Sequence, residues 1–436
     1  MKNIDITEEL NIIADDKSHP LNRHINIFKL TDLMNFDDFH FQNKIKLKKK
    51  LIFNTKYELR KLKKIDNIKI SNGNSAPQGK VYFKDGKLPF IRAGNLNSVD
   101  SFGCILPYKK NFINEKAVMD KKLNLFEKGT ILFPKSGQSV NTDNIGRLKE
   151  DSYVVSHLAT IKTDNPITDK YIYNFLKSIG TSNLKDLDSD YPTISIDNIK
   201  KLKIPFPDEI IKKKINREIE EIEKEEEKKT NKMNKNISKI KDFILSIGSK
   251  EVKLKSLLKM PIRRGKTPKY GKSKVQVIKS GQIRGNKEFD FNIKYYLNED
   301  IVLDERKLEK EDLIMNSTGV GTVGRTNIFN LEGDFVVDSH VSIIRLDKSQ
   351  VFPKYVLHCI DFLIGFKEIE KMAEGSSGQI ELSPKTIEKM KIPLIDLVEQ
   401  EKILKQIEPF EKEIELCKKY LEDSFNLKKV IIKKYI

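Results

Sequence analysis

The stretch Ser195-Ile-Asp-Asn-Ile-Lys-Lys-Leu-Lys-Ile-Pro205 decides the fold of this chain, because the sequence contains it a second time. Ser383-Pro-Lys-Thr-Ile-Glu-Lys-Met-Lys-Ile-Pro393 repeats it 188 residues later (383 − 195 = 188), and six of the eleven positions are identical. A long charged segment follows each copy, at about 208–247 and about 396–436. A repeat of this period is too long for one unit of a solenoid, so each copy is expected to close a whole domain that is followed by a helix.

The repeat therefore predicts five segments. They are an N-terminal arm (1–56), a first globular domain (57–207), a central helix (208–247), a second globular domain (248–395) and a C-terminal helix (396–436). The arm has no counterpart in the second half. It is either a helical arm that docks on a partner or a disordered leader, and its clustered aromatic residues favour docking. Within the repeated stretch, Ser195 and Ser383 suit the N-cap of a short helix that ends at the Ile-Pro step.

Both long segments carry an apolar seam with charged flanks. The central seam consists of Ile215, Ile219, Ile222, Met233, Ile237, Ile240, Ile244 and Ile247. The C-terminal seam consists of Ile403, Ile407, Phe410, Ile414, Cys417, Leu421, Phe425 and Ile432. Such narrow seams are typical of coiled coils, and charge at Glu226 and Lys229 interrupts the first one. Two lone helices would each leave an apolar stripe in water, so we expect them to pack on one another, antiparallel.

The sequence thus predicts an α+β fold with a pseudo-two-fold internal repeat. Two similar globular domains would be joined by two long antiparallel coiled-coil helices, each of roughly 60 Å. Two independent surface helices, each on its own domain, are the alternative arrangement.

Composition narrows the class of protein. The 436 residues carry a net charge of +18 and a pI near 9.3, which favours a polyanionic partner, nucleic acid above membrane. A Lys-, Asn- and Ile-rich composition caused by coding bias would give the same charge, so charge alone does not decide. Three scattered cysteines without a CxxC motif indicate neither a disulfide framework nor a zinc site. No run approaches the roughly 18 apolar residues of a membrane helix, so a cytoplasmic protein without membrane association is expected.

Polar loops at matching places in the two halves are the candidate recognition elements. A buried strand precedes each loop, at 129–133 and 312–315, and each loop carries the cationic, amide and hydroxyl side chains that read base edges in DNA. The candidates in the loops are Lys135, Ser136, Gln138, Asn141 and Arg147 in the first domain, and Asn316, Ser317, Thr318 and Arg325 in the second. A second layer consists of Arg92, Asn95, Lys279, Gln282 and Arg284. Each residue could equally contact a phosphate or be an ordinary polar group of a loop.

Two motifs imitate enzyme sites without the context that those sites require. Gly319–Gly324 matches GxGxxG, but a dinucleotide site needs a helix next, and residues 325–329 are typical of a strand. Asp208, with Glu226 and Lys228, imitates a nuclease core, but these residues lie along the charged helix and not at neighbouring strand ends. Neither motif predicts catalysis.

Other catalytic patterns also fail. Ser156-His157 and Ser339-His340 are adjacent on a strand, where neighbouring side chains point to opposite faces, so they cannot pair as nucleophile and base. A structural or DNA-contacting histidine fits better. The histidines form no HxxxH motif, so no metal site is expected. An adenine methyltransferase would need an Asn/Asp-Pro-Pro-aromatic motif, and the sequence has none.

With these features the chain, over about residues 57–436, resembles the specificity (S) subunits of Type I restriction-modification systems. The most specific match is the exit of the second domain, which runs from Gly375-Ser-Ser-Gly-Gln-Ile-Glu-Leu-Ser383 through Met390-Lys-Ile-Pro393 to Glu399-Gln-Glu-Lys-Ile403. In the family, this segment consists of a Gly/Ser turn, a short helix, an apolar-Pro step and the motif Glu-Gln-x-x-Ile. The first half departs from the pattern, because Ile211-Lys212 stand in place of Glu399-Gln400.

The resemblance implies a non-catalytic subunit that binds a bipartite, asymmetric target in double-stranded DNA. Two methyltransferase subunits and, through them, restriction subunits would assemble on its helices for N6-adenine methylation and restriction. S-adenosylmethionine would be bound by the methyltransferase, so no cofactor is expected on this chain. The partner-binding residues of the helices would be Ile215, Ile219, Ile222, Glu399, Gln400, Ile403 and Ile407.

Two other functions stay open on the sequence. The chain could be the recognition half of a split methyltransferase-nuclease, with 1–56 as the remnant of the fusion. It could also be a sequence-nonspecific coiled-coil DNA-binding protein.

Overall fold

The structure, a computed structural model, describes residues 53–436 except 107–110, 186–190, 249, 286–287, 299–303, 305 and 377–378. The chain divides into two units. The first comprises Met1–Lys228 and Tyr420–Ile436, and the second comprises Lys229–Lys419. The N-terminal arm predicted at 1–56 lies outside the described residues apart from 53–56.

The first unit contains a globular domain with two main sheets. Its strands are β1 (Leu59–Lys61), β2 (Lys69–Asn72), β3 (Leu88–Ile91), β4 (Asn111–Ile113), β5 (Leu125–Phe126), β6 (Ile131–Pro134), β7 (Gly146–Arg147), β8 (Ser152–Val154), β9 (Leu158–Lys162) and β10 (Lys203–Pro205). One antiparallel sheet has the order β2-β9-β6-β7, and a mixed sheet has the order β4-β3-β8-β5 with β3 and β8 parallel. Its helices are Glu115–Lys121, Pro166–Ile179, Ile196–Lys201 and the first part of the central helix, Glu209–Leu245.

The second unit repeats this plan. Its strands are β11 (Glu251–Lys253), β12 (Arg263–Arg264), β13 (Gln276–Ile278), β14 (Ile283–Gly285), β15 (Glu288–Phe289), β16 (Tyr295–Tyr296), β17 (Leu313–Asn316), β18 (Thr326–Ile328), β19 (Phe335–Val337), β20 (Val341–Ile344), β21 (Glu374–Ser376), β22 (Gln379–Glu381) and β23 (Lys391–Pro393). The antiparallel sheet β12-β20-β17-β18 and the mixed sheet β16-β13-β19, with β13 and β19 parallel, match those of the first domain. Its helical segments are Pro353–Cys359, a π-helical turn Ile360–Ile364, Phe366–Lys371, Pro384–Glu388 and the C-terminal helix, Leu397–Tyr435. The predicted α+β fold with two similar domains is confirmed.

The strand that leads into each polar loop is buried on both faces. In β6, Ile131 and Phe133 pack in a core with the helix Pro166–Ile179, whereas Leu132 packs in a second core with residues of the mixed sheet. The equivalent strand β17 divides its residues between two cores in the same way. Burial on both faces explains why these strands read as continuous apolar runs and not as alternating patterns.

Each domain is closed where the chain enters and leaves it. Strand β1 pairs antiparallel with β10, which places Leu59 opposite Pro205. Strand β11 pairs in the same way with β23, which places Glu251 opposite Pro393. The repeated eleven-residue stretch thus supplies the last strand of each domain, and a long helix begins within a few residues of it.

A buried tyrosine fixes each of these exits. The Tyr171 hydroxyl donates a hydrogen bond to the carbonyl oxygen of Pro205 at 2.5 Å, and the Tyr355 hydroxyl donates to that of Pro393 at 2.9 Å. Burial raises the pKa of both phenols well above the usual range, so both remain protonated donors at any physiological pH.

The short helix before each exit begins as the sequence predicts. The Ser195 hydroxyl accepts a hydrogen bond from the backbone N–H of Asn198 at 3.1 Å, and the Ser383 hydroxyl accepts one from Thr386 at 3.1 Å. Pro384 occupies the first turn of the second short helix. Both serines are therefore N-caps.

In the first unit the central and C-terminal helices pack antiparallel. Glu226 accepts hydrogen bonds from Lys428 at 2.6 Å and from Ser424 at 2.5 Å, and all three side chains are buried. Nearer the start of the central helix, Glu218 lies 3.2 Å from the ammonium of Lys434. The charge at Glu226 that interrupts the apolar seam therefore has a buried partner.

In the second unit the corresponding segments also run antiparallel. Asn236 donates a hydrogen bond to Glu413 at 2.6 Å, and the ring of Phe243 lies 6.1 Å from that of Phe410. Antiparallel packing is thus observed within each unit, and a continuous coiled-coil spacer stays a prediction.

Substitution of a glycine at the start of each domain tests the close approach of two backbone segments. A Cβ at Gly265 would lie 1.9 Å from the carbonyl oxygen of Val337, and one at Gly73 would lie 2.2 Å from that of Val154. We expect Gly265→Ala to lower the free energy of unfolding of the second domain by about 2 kcal/mol, measured by urea unfolding. The matched control is Gly281→Ala, where a Cβ meets nothing within 4 Å. Equal midpoints for the two variants would contradict this packing.

Candidate nucleic-acid interface

The loop after β6 presents polar side chains to solvent. Gln138 and Asn141 are exposed, and the Asn141 amide donates a hydrogen bond to Gln138 at 3.1 Å. The exposed Lys185 donates to Asn141 at 2.6 Å. Lys135 is half-buried at the start of the loop. These side chains form one accessible cluster of amides and cations on the first domain.

Arg147 follows the same loop but turns inward. Its guanidinium lies 5.0 Å from the centre of the buried Tyr173 ring and donates a hydrogen bond to the carbonyl oxygen of Phe102 at 2.7 Å. Its primary contacts are therefore within the domain.

Two residues predicted to lie in the recognition loop after β17 are not accessible. Asn316 and Ser317 are wholly buried. The Asn316 amide donates to the carbonyl oxygen of Ser280 at 2.9 Å, and the Ser317 hydroxyl bonds that of Ser342 at 2.6 Å. The reason is that the strand continues through Asn316, so both side chains point into the sheet cores before the loop begins. Neither side chain is exposed to a ligand outside the domain.

The remaining candidates of this loop stay accessible in part. Thr318 and Arg325 are half-buried, and Arg325 donates to the carbonyl oxygen of Gly321 at 2.9 Å. The Gly-rich segment is followed by the strand Thr326–Ile328 and not by a helix, as predicted. A dinucleotide-binding helix N-terminus is therefore absent from this place.

Asn95 and Gln282, which are predicted from the sequence as base readers, are buried and hold turns. The Asn95 side chain accepts a hydrogen bond from the backbone N–H of Arg92 at 2.8 Å. The Gln282 side chain accepts one from Lys279 at 2.9 Å and donates to the carbonyl oxygen of Ile293 at 2.7 Å. Equal spacing in the sequence thus reflects an equal turn, and both amides are removed from the recognition set.

The cations next to these amides are accessible. Arg92 is exposed, and its guanidinium lies 5.6 Å from the centre of the Phe83 ring. Lys279 is half-buried, 4.4 Å from the Tyr295 ring centre. Arg284 is exposed and lies 2.6 Å from Asp290. The hydrogen bond that Arg284 donates to Asp290 is the main reason why the pKa of the Asp290 carboxyl is lowered.

A hydroxyl–imidazole pair in each domain was not expected from the sequence. The hydroxyl of Ser136 lies 2.7 Å from Nδ1 of His157, and the hydroxyl of Thr318 lies 2.9 Å from Nδ1 of His340. Both imidazoles are exposed. The available signal was the recurrence of a hydroxyl residue just after the buried strand together with a histidine about twenty residues later.

Most of the predicted partner-binding residues of the helices are buried within their own units. Five of the seven, Ile215, Ile219, Gln400, Ile403 and Ile407, are buried. The apolar seam faces the neighbouring helix segment and the domain, because burying it there removes it from water. These five side chains therefore contact their own unit, and a role for the seven residues in partner binding stays a prediction. Ile222 and Glu399 remain half-exposed.

Gln400 illustrates the intrachain role. Its side chain accepts a hydrogen bond from the backbone N–H of Phe352 at 2.9 Å and donates to the carbonyl oxygens of Gln350 and Ile395, at 3.1 and 2.8 Å. At the equivalent place in the first unit stands Lys212 (400 − 188 = 212), and burial lowers its pKa to about 8. The Gln side chain therefore fastens the C-terminal helix to its domain.

No group of three or more His, Cys, Asp or Glu side chains in the part of the chain that the structure describes is placed to hold a metal ion. Among the same residues, no helix combines the length and the apolar character needed to cross a membrane. Asp208 and Glu226 lie at the start and in the middle of one helix, which is not the arrangement of a nuclease core.

Comparison with known proteins places this geometry in context. A sequence model of the family described as Type I restriction modification DNA specificity domain matches residues 54–237 and again residues 247–423. The specificity subunit of the Type I restriction enzyme MjaIX from Methanocaldococcus jannaschii is 34% identical over 96 residues. That alignment covers 22% of this chain, and the chain spans only 21% of that relative's length.

Two crystal structures are similar to the chain as a whole. The S subunit of a Type I restriction-modification system from M. genitalium is 15% identical, with a TM-score of 0.47 over 89% of this chain and 98% of that one. The HsdS subunit from Thermoanaerobacter tengcongensis is 14% identical, with a TM-score of 0.36 over 85% and 97% of the two chains.

Gln282 and Arg284, two residues apart in the second domain, test the distinction between a buried polar side chain that holds a turn and an exposed one. We expect Gln282→Ala to lower the free energy of unfolding by about 2 kcal/mol, because the backbone N–H of Lys279 and the carbonyl oxygen of Ile293 lose the partner that the buried amide supplies. Arg284→Ala removes an exposed ion pair and is expected to leave the free energy of unfolding nearly unchanged. Urea unfolding of both variants checks this. A larger loss for Arg284→Ala than for Gln282→Ala would reverse the assignment.

Proposed function

The chain belongs to the Type I restriction modification DNA specificity domain family, with one copy of the domain in each half, and we propose that it directs methyltransferase subunits to a bipartite, asymmetric DNA target. Each globular domain reads one half of that target. The observation that carries the proposal is a duplicated frame with non-identical polar loops at the same place in both copies.

Support for sequence recognition comes from the accessible side chains of the loops. Amides suit adenine, guanidinium and ammonium groups suit guanine, and hydroxyls adapt to either. After removal of the buried residues, and of the half-buried Arg147 because its guanidinium bonds Phe102 inside the domain, the accessible recognition set is Arg92, Lys135, Ser136, Gln138, Asn141, Lys279, Arg284, Thr318 and Arg325. Because the two loops differ in length and composition, the two half-sites differ, and the target is asymmetric.

Support for DNA as the ligand comes from charge. The chain carries 81 Lys and Arg against 63 Asp and Glu, a net charge of +18. Lys and Arg side chains that neutralise phosphates release condensed counterions, which supplies much of the affinity of a DNA-binding protein. The length of the helices would set an upper limit on the unread base pairs between the half-sites.

The docking surface for the methyltransferase is proposed at the start of each long helix. Ile210 and Val398 occupy the same position of the repeat (398 − 188 = 210), and the residue surface of each is 76% exposed. Single exposed apolar side chains are common on protein surfaces, but the recurrence of one at the same position of both repeats favours a shared role for Ile210 and Val398. A shallow surface pocket beside Val398 is lined by Glu401, Lys402 and Lys405. Two equivalent positions fit two copies of one partner.

The catalytic steps would then be carried out by the partner subunits. The methyltransferase subunits would bind S-adenosylmethionine and transfer the methyl group to the N6 of adenine, and restriction subunits would join through them. The chain itself would contribute binding and orientation in the cytoplasm, where the DNA is.

A map of modified bases tests the recognition role. Genomic DNA from cells with and without this gene should differ by N6-methyladenine at one split, asymmetric motif. In cells that carry Gln138→Ala and Asn141→Ala, the motif should become degenerate in one half only, because these exposed amides belong to the first domain.

The matched change in the second domain is Arg284→Ala, which should relax the other half. Loss of specificity in both halves from a change in one domain would contradict separate readers. An unchanged map in the deletion strain, with equal binding of random and genomic duplexes, would favour the nonspecific DNA-binding protein.

Stoichiometry tests the docking surface. Ile210→Asp should reduce the number of methyltransferase subunits bound per chain from two to one, because a carboxylate at the centre of an apolar contact loses its hydration. Val398→Asp should do the same, and the double variant should bind none, as measured by native mass spectrometry of the copurified complex.

The control is Met119→Asp, which replaces an apolar residue of similar exposure on a short helix of the first domain. It should leave two subunits bound. Retention of two methyltransferase subunits by the double variant would rule out these positions as the docking surface.

A further inference from the structure

We propose that the hydroxyl–histidine pair of each domain, Ser136–His157 and Thr318–His340, is a binding site for a phosphodiester group of the DNA backbone. The inference rests on the proposed function and adds a class of contact to it. Such a contact fixes the position of a domain on the duplex without reading its sequence.

Both pairs are mounted on the same backbone frame. In the first domain, the backbone N–H of Lys135 donates to the carbonyl oxygen of His157 at 2.9 Å, and the N–H of Ile194 donates to that of Lys135 at 2.8 Å. The N–H of Gly137 donates to the carbonyl oxygen of Pro192 at 2.9 Å. Three segments therefore hold the pair: the loop after β6, the turn before β9 and the residues that precede the repeated stretch.

The second domain makes the same three bonds. The N–H of Ser317 donates to the carbonyl oxygen of His340 at 2.8 Å, and the N–H of Leu382 donates to that of Ser317 at 2.8 Å. The N–H of Gly319 donates to the carbonyl oxygen of Ile380 at 3.1 Å. A pair held by three bonded segments loses little side-chain freedom on binding, which favours its use as a contact.

The orientation of the imidazoles leaves one nitrogen available. In each pair the hydroxyl engages Nδ1, and within the described residues Nε2 of neither ring bonds another group. If the hydroxyl donates to Nδ1, the neutral ring carries its proton on Nε2 and can donate it outward. A phosphate oxygen is an acceptor that matches this donor, and the exposed position of both rings allows a duplex to reach it.

Catalysis does not fit the same geometry. A serine–histidine nucleophile requires a third group that orients the imidazole through its other nitrogen. Among the described residues no carboxylate bonds Nε2 of either ring, although the Asp338 carboxylate accepts the backbone N–H of His340 at 3.0 Å. The pair is therefore assigned to binding.

The persistence of the pair in both domains argues for backbone contact over base contact. The two loops differ in length and at most positions, as readers of different half-sites must. Phosphates are the same at every sequence, so a contact shared by both domains is the one expected to stay unchanged. The exchange of Ser136 for Thr318 keeps the hydroxyl.

The test measures the affinity of the full chain, purified with the subunits that copurify with it, for two duplexes. One carries the target found by the methylation map, and the other has the same composition in scrambled order. We expect His157→Ala and His340→Ala each to weaken binding about tenfold, by the same factor on both duplexes. The double variant should lose the product of the two factors, about a hundredfold, because the sites are independent.

Matched variants separate the contact from a defect in folding. His157→Gln keeps an N–H donor near the position of Nε2 and should restore most of the affinity that His157→Ala loses. Ser156→Ala removes a hydroxyl from the neighbouring residue of the same turn and should change affinity less than twofold. Thermal unfolding should be unchanged in all of them, because both imidazoles are exposed.

Two outcomes would overturn the phosphate contact, and a third would overturn only the proposed function. A loss confined to the target duplex would make the histidines base contacts, and no loss on either duplex would remove them from the interface. If the wild-type complex bound both duplexes equally, the specificity role would fail. An equal loss from the histidine variants would then still support the phosphate contact.

Discussion

The antiparallel pairing of the first and last strands is the constraint on which the rest of each domain depends. Leu59 pairs with Pro205 and Glu251 with Pro393, so the chain leaves each domain beside its point of entry. The Ile-Pro step keeps the exit extended, because proline disfavours helical backbone at the residue before it. A long helix then begins within four residues. Its starting point is thereby tied to the sheet framework and not to a free linker.

Buried and half-buried ion pairs then attach each long helix to its own domain. Lys170 lies 3.1 Å from Glu223, and Lys354 lies 2.5 Å from Glu411 at the matching place of the second domain. Separating the two partners of such a pair leaves a charge in the interior without compensation. These pairs therefore favour one register of helix on domain. The same reasoning applies to Glu226 and Lys428 between the helix segments of the first unit.

Whether a polar residue can bind a ligand depends on whether it belongs to a strand or turn of the domain or to an exposed loop. Asn316 and Ser317, at the end of a buried strand, are buried and bonded inside the domain, although their residue types suit DNA recognition. By contrast, Gln138 and Asn141, which follow the first glycine of the first loop, project into solvent. The side chains of Asn95 and Gln282 form hydrogen bonds that hold turns, and Arg92 and Arg284 lie beside these turns with exposed side chains. A domain of this kind can change its loop without altering its core.

The sequence by itself determined the internal repeat, the two-domain α+β fold, the serine caps and the two long helices, because these depend on local periodicity and on spacing along the chain. It also identified the loops as the polar, accessible parts of each domain. Tertiary structure alone decided which side of each element faces inward. It buried Ile215 and Gln400 in the contacts of their own units, and it brought Ser136 beside His157 across 21 residues (157 − 136 = 21). These outcomes depend on contacts between segments distant in sequence, which the spacing of residues along one segment does not contain.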